Sequence, residues 1–225
     1  MSNVFWMLML AHLIADYPLQ PDWMVRAKQT WSGLTLHVGV HLAMLLILAG
    51  TGRAVLWPFL VALAAMHFVI DAFKNWLGSV RPDWVSGPYL LDQLLHLVSL
   101  LVVAAWIVAV VGSDAVPHYG TWMIYAWGLL AATYAWYITE RILVRRNTSY
   151  LVEVNRQRWT RIAARGLWLT LFLLLGDALN SAVVRAAVAA PLPYLSGQHR
   201  SRALATDVMV SLVTAIIVLV ALRLA

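Results

Sequence analysis

Four pairs of side chains able to bind a metal ion or move a proton recur at one spacing in the first half of this 225-residue chain: His12 with Asp16, His37 with His41, His67 with Asp71, and Asp92 with His96. Residues four apart on an α-helix share one face, with Cβ atoms roughly 5–6 Å apart. Each pair can therefore converge on one ion or bond to itself. The pairs sit in apolar runs; His67-Phe68-Val69-Ile70-Asp71, for example, closes a run that begins near Val55. Ionisable groups in such surroundings are costly and mark functional candidates.

Imidazole and carboxylate together suit Zn, and also Mn, Fe or Ni, and helical zinc hydrolases use two ligands at i and i+4. Three aspartates in a low dielectric need neutralising, which one or two divalent cations would do. Eight donors exceed the four that one zinc takes, so either two ions bind or some residues support the ligands from behind. Two other readings compete. Each pair could bond to itself and lock helices together, or the set could form a proton or cation path. A path requires polar residues toward the far end, where only Ser99 and His118 stand. Gln20 extends the His12, Asp16 face by a turn across Pro18; it could orient a substrate or water, although capping the next helix is its ordinary role. Lys74, three residues after Asp71, could balance an aspartate, clamp a phosphate or snorkel to the interface, the last being the default. Gln93 beside Asp92 points elsewhere on its helix and could support the ligands from behind.

The elements that must position these residues are membrane helices. Hydrophobic residues make up 62% of the chain and charged residues 12%, with mean hydropathy +0.77, against about 45–50% apolar in a soluble domain. The expected fold is an all-α polytopic transmembrane bundle of about seven spans, its first four forming a polar-centred four-helix bundle. Spans are expected at residues 3–17, 34–50, 55–76, 89–111, 121–144, 162–189 and 203–224. An interfacial piece over 23–30 carries Arg26, Lys28, Trp23 and Trp31. Residues 1–112 would hold the site and 113–225 three further spans in the same compact domain. The run from Val4 to Ala15 has the length of a signal-peptide core but no positive start or small-residue cleavage pattern, so it is expected to be a retained helix. With no cysteine, thiolate ligands, disulfides and a Cys nucleophile are excluded.

The excess of 16 basic over 10 acidic residues lies between apolar runs, which points to membrane topology and anionic lipid headgroups rather than nucleic acid. Loops after the first, third and fifth spans hold Arg26, Lys28, Lys74, Arg81, Arg141, Arg145, Arg146, Arg156, Arg158 and Arg161; the other side holds Arg53, Arg200 and Arg202. The first set should face the cytoplasm, with the N-terminus outside. All four pairs then fall in the cytoplasmic half, and up-down topology brings them together.

The second half carries fewer candidates. Glu140 and Arg141 read as a local ion pair or headgroup contact, Asp177 and Asn180 as interhelical hydrogen bonds, and the basic stretch 145–165 with Tyr150 and Trp159 as an amphipathic segment on anionic headgroups. The 12 Trp fit interfacial belts, and the small-residue stretch before Pro191 and Pro193 is the one linker-like feature.

His12-x3-Asp16-x3-Gln20, His37-x3-His41, His67-x3-Asp71-x2-Lys74 and Asp92-Gln93-x2-His96 resemble an uncharacterised bacterial membrane family, domain-of-unknown-function family 3307, over residues 12–99. The pattern is more loosely similar to inner-membrane proteins described as metal-dependent hydrolases. Beyond it only Glu140-Arg141-Ile142-Leu143 is faintly similar to the family. His-Glu-x-x-His, His-x-x-His-His, Glu-Glu, Gly-x-Ser-x-Gly and Gly-x4-Gly-Lys signatures are absent.

The expected function is a divalent-metal-dependent hydrolase in the bacterial inner membrane, acting at the cytoplasmic leaflet on a lipid-linked or phosphoester substrate. His12, His37, His41, His67, His96 and the aspartates would hold Zn or a similar ion, with Asp16 or Asp71 as general base and Gln20 and Lys74 beside them. A cation or proton transporter or sensor, and a non-catalytic structural protein, are the alternatives.

Overall fold

Hydrocarbon-length apolar runs leave the backbone one way to satisfy its own hydrogen bonds, and the described residues are correspondingly helical with no strand. The computed structural model describes residues 2–50, 53–175 and 199–224. Two compact units divide the chain, Met1–Met123 and Ile124–Ala225.

The first unit holds α1 (Ser2–Asp16), α2 (Asp22–Ala27), α3 (Trp31–Ala49), α4 (Trp57–Val80) and α5 (Gly87–Val110). Packing runs in a ring, α1 on α3, α3 on α4, α4 on α5 and α5 on α1. Local chemistry sets the ends. Thr30 caps α3 by accepting from the Gly33 amide at 3.2 Å. Pro58 and Pro88 stand in the first turns of α4 and α5, where a missing N–H costs nothing. Gly50, at φ +85°, ends α3 in a conformation that side chains resist. Gly33 has a second duty. A Cβ there would lie 2.1 Å from the Ala27 carbonyl oxygen, so only glycine lets the end of α2 fold onto the start of α3.

Polarity is inside out. Ile47, Val69, Val102 and Val110 are exposed, while His37, His41, His67, Asp71, Asp92 and His96 are buried. Water would reverse that distribution, and hydrocarbon outside the ring accounts for it.

The second unit contains α6 (Trp122–Leu130, which begins at the unit boundary), a π-helical turn (Ala131–Ala135), α7 (Trp136–Leu143), α8 (Thr148–Arg156), α9 (Arg158–Leu175) and α10 (Arg200–Leu224). Its core joins α9 to α10 through Trp168, Leu169, Phe172, Val208 and Ala215.

Four described helices are long and apolar enough to cross a membrane: Trp31–Ala49, Ala54–Val80, Gly87–Val110 and Ser201–Leu224; Asn3–Asp16 is apolar but shorter. The span expected at 121–144 is interrupted by the π turn, and the expected 162–189 span is described only to Leu175. Asp177, Asn180, Pro191 and Pro193 lie outside the described residues. α4 continues to Val80, four residues past its expected end, so His67 and Asp71 sit well inside the helix.

Candidate metal and anion centre

Antiparallel neighbours bring the four pairs to one level. Asp16 is their hub. Its Oδ1 lies 3.1 Å from His37 Nε2, 3.1 Å from His41 Nε2 and 4.0 Å from His67 Nε2, and its Oδ2 lies 3.3 Å from His12 Nε2. His37 Nε2 and His67 Nε2 are 3.2 Å apart. Asp71 Oδ2 lies 3.4 Å from His67 and 3.5 Å from His37. The rings of His12 and His67 stand 4.8 Å and 4.2 Å from that of His96. The pairs are not self-contained, because one carboxylate meets imidazoles from α1, α3 and α4.

Donors held at about 2.0–2.1 Å around a tetrahedral ion stand about 3.3 Å apart. Three spacings among Asp16, His37, His41 and His67, at 3.1, 3.1 and 3.2 Å, are of that size, and Asp16 to His67 is wider at 4.0 Å. In that set, and in two others, His12 with Asp16 and His96, and His67 with Asp71 and His96, donor atoms lie within 4.8 Å of one another. Both ring nitrogens of His96 and Nδ1 of His37 are buried without a hydrogen-bond partner; such groups are uncommon unless something else binds them. The donor set therefore fits a borderline-soft divalent ion. A small cavity, of a size for roughly one water, adjoins His12, His41, His67 and His96, with Ser99 and leucines behind it.

Two lysines close the aspartate edge. Lys28 Nζ is ion-paired with Asp71 Oδ2 at 2.7 Å, and Lys74 bonds Asp71 and stands 3.1 Å from Asp92 Oδ1. Both correct the expectations from sequence. Lys28, expected at the interface, is buried because α2 folds inward, and Lys74 turns to the aspartates instead of snorkelling. Gln20 does not cap α2, whose cap residue is Pro21. With its amide turned to suit its neighbours, Gln20 donates to the Asp16 carbonyl at 2.7 Å and accepts from Lys28 at 3.0 Å. Gln93 is part of the cluster, since it donates to Asp92 at 2.9 Å and accepts from Tyr17 at 3.1 Å; Tyr17 also lies 3.2 Å from the Tyr89 hydroxyl. Tyr17 and Tyr89 carry no distinguishing spacing and were not legible as site residues.

The second unit has its own buried ion network. Arg161 binds Asp207 through Nε and Nη2 (2.6–3.2 Å) and Glu140 at 2.9 Å; Arg165 binds Asp207 at 2.9 Å and donates to the Thr133 carbonyl of the π turn at 3.4 Å. Tyr150 donates to Glu140 at 2.6 Å. Burial, and then that bond, pushes the Tyr150 phenol up to about 12. Glu140 thus pairs with Arg161 rather than Arg141, whose guanidinium lies over the Tyr137 ring. Arg161 and Arg165 are interior, not headgroup-facing as the basic stretch suggests. The signal available was their i, i+4 spacing on one helix face.

A family model described as protein of unknown function (DUF3307) matches residues 4–123, and the chain belongs to that family. The match is nearly coextensive with the first compact unit, Met1–Met123. No curated protein and no solved structure matches.

Proposed function

We propose that the first unit is a membrane-embedded, divalent-metal-dependent hydrolase. The observation that carries this reading is the grouping of Asp16, His37, His41 and His67, whose donor atoms lie within 4.8 Å of one another, with His12, His96 and Asp71 in adjoining groups. A bound ion would supply Lewis acidity toward a water and an ester oxygen; Zn suits the donors best, with Mn, Fe or Ni as alternatives. Asp16, which touches three imidazoles, serves as a ligand. Asp71 is then the general base, held in orientation by Lys28 and Lys74.

The site opens at the cytoplasmic leaflet of the inner membrane. Setting aside the inward-turned Lys28, Lys74 and Arg161, the basic loops still hold Arg26, Arg81, Arg141, Arg145, Arg146, Arg156 and Arg158 on that side against Arg53, Arg200 and Arg202. Hydrolysis is favoured over transport because, Ser99 apart, the cavity behind the imidazoles is lined by apolar side chains, among them Leu8, Leu45, Leu63 and Leu100, which offer a cation no ligands. The test is turnover of a panel of phosphoesters, esters and amides by purified protein with Zn or Mn. Activity should vanish in Asp71→Asn while the ion at Asp16, His37, His41 and His67 is kept; no turnover of any member would end the catalytic reading.

A further inference from the structure

Of the 16 basic side chains only two, Lys28 and Lys74, are lysines, and both stand at the aspartate edge of the imidazole cluster. An ammonium carries three N–H donors. Lys28 donates to Gln20 and is ion-paired with Asp71; Lys74 donates to Asp71 and is ion-paired with Asp92. At least one donor on each remains. The Lys28 side chain is 7% exposed and that of Lys74 24%, so the pair leads from the rim inward. Tyr17, Tyr89 and Gln93 continue that rim with neutral polar groups.

Charge gives the same direction. Asp16, Asp71 and Asp92 against Lys28 and Lys74 sum to −1 with neutral imidazoles; one divalent ion makes the cluster +1, and two make it +3. A cluster in that state, enclosed in a low dielectric, draws an anion. A neutral ester or amide has no use for two ammonium donors, whereas the terminal oxygens of a phosphoryl group accept charge-assisted bonds from both.

We propose that Lys28 and Lys74 form a phosphoryl-binding subsite beside the ion position, so that the substrate is a phosphate ester. The substrate class rests on the hydrolase reading above; the lysine subsite stands on its own geometry. In the reaction the oxygen of water bonds to phosphorus and the phosphorus–oxygen ester bond breaks. One proton of the water ends on the alcohol released and the other on the phosphate.

Having only two lysines makes the test direct. Full-length protein in phosphatidylcholine nanodiscs is treated with an amine-reactive reagent, Lys74 modification is mapped by mass spectrometry, and bound metal is measured on the same sample. Inorganic phosphate at ten times its dissociation constant should slow Lys74 modification on the order of tenfold. Phosphatidic acid placed in the disc, without phosphate, distinguishes a lipid headgroup from a soluble ester, and protection by either supports the subsite. Lys28→Met should weaken protection while metal content holds; if that variant does not fold, the wild-type comparison still decides. Metal-loaded wild type protected by neither ligand overturns the subsite and leaves the metal reading intact. Protection in protein that holds no metal keeps the subsite and removes the hydrolase.

Discussion

Lys28 Nζ lies 2.7 Å from Asp71 Oδ2, joining the turn after α2 to the interior of α4. Breaking a buried pair from one side costs about 3–5 kcal/mol when the remaining charge has no other partner. Lys74 still pairs Asp71, so Lys28→Met should cost less than that, on the order of 1–3 kcal/mol, read as a fall in melting temperature in detergent. Arg26→Met, on the exposed side of α2, should change it little.

Gly33 controls whether Lys28 can reach that position. A Cβ at Gly33 would meet the Ala27 carbonyl at 2.1 Å, so Gly33→Ala forces α2 away and should destabilise by about 1–3 kcal/mol. Gly39, with open space around its Cα, provides the contrast. Gly39→Ala should be neutral or stabilising by up to about 1 kcal/mol. Melting temperatures of the two variants decide the point.

In the second unit, Arg161 holds Asp207 and Glu140 together. Arg161→Met leaves Arg165 as the one cation beside two buried carboxylates, Asp207 and Glu140, and should cost up to about 3–5 kcal/mol. Arg161→Lys should restore only part of this, since a point charge cannot reproduce the paired Nε and Nη2 bonds. Arg156→Met, at an exposed position, should be nearly silent. Equal stability of Arg161→Met and Arg156→Met would mean that the network contributes nothing.

Tyr150 gives the fold an alkaline limit. Its phenol is pushed from an ordinary 10 up to about 12, so the folded state favours the protonated form. That contribution is fully present below pH 10 and is lost as pH rises from 10 through about 12. Unfolding midpoints measured across this window should fall more steeply for wild type than for Tyr150→Phe.

What sequence could and could not reveal follows from how far each signal reaches. The eight donors were legible because the helical repeat places residues four apart on one face, and His67 with Asp71 obeys that rule wherever α4 ends. Their meeting at one level followed from alternating helix direction. Lys28 was not legible, since its place depends on α2 folding back over Gly33, a tertiary contact without a periodic trace. Arg161 and Arg165 were misplaced for a related reason. A basic run is ordinarily surface, and only the approach of Asp207 from α10 makes their burial tolerable. The π turn at Ala131–Ala135, whose Thr133 carbonyl receives Arg165, left no mark in an apolar sequence.

The central claim is that Asp16, His37, His41 and His67 hold an ion, and elemental analysis tests it most directly. Protein purified, exposed in turn to Zn, Mn, Fe and Ni and then dialysed should retain about one or two equivalents of at least one of them. The Asp16→Asn, His41→Ala double variant should lose most of that metal while remaining folded by circular dichroism. Retention of less than about a tenth of an equivalent of every ion by folded wild-type protein would contradict the account.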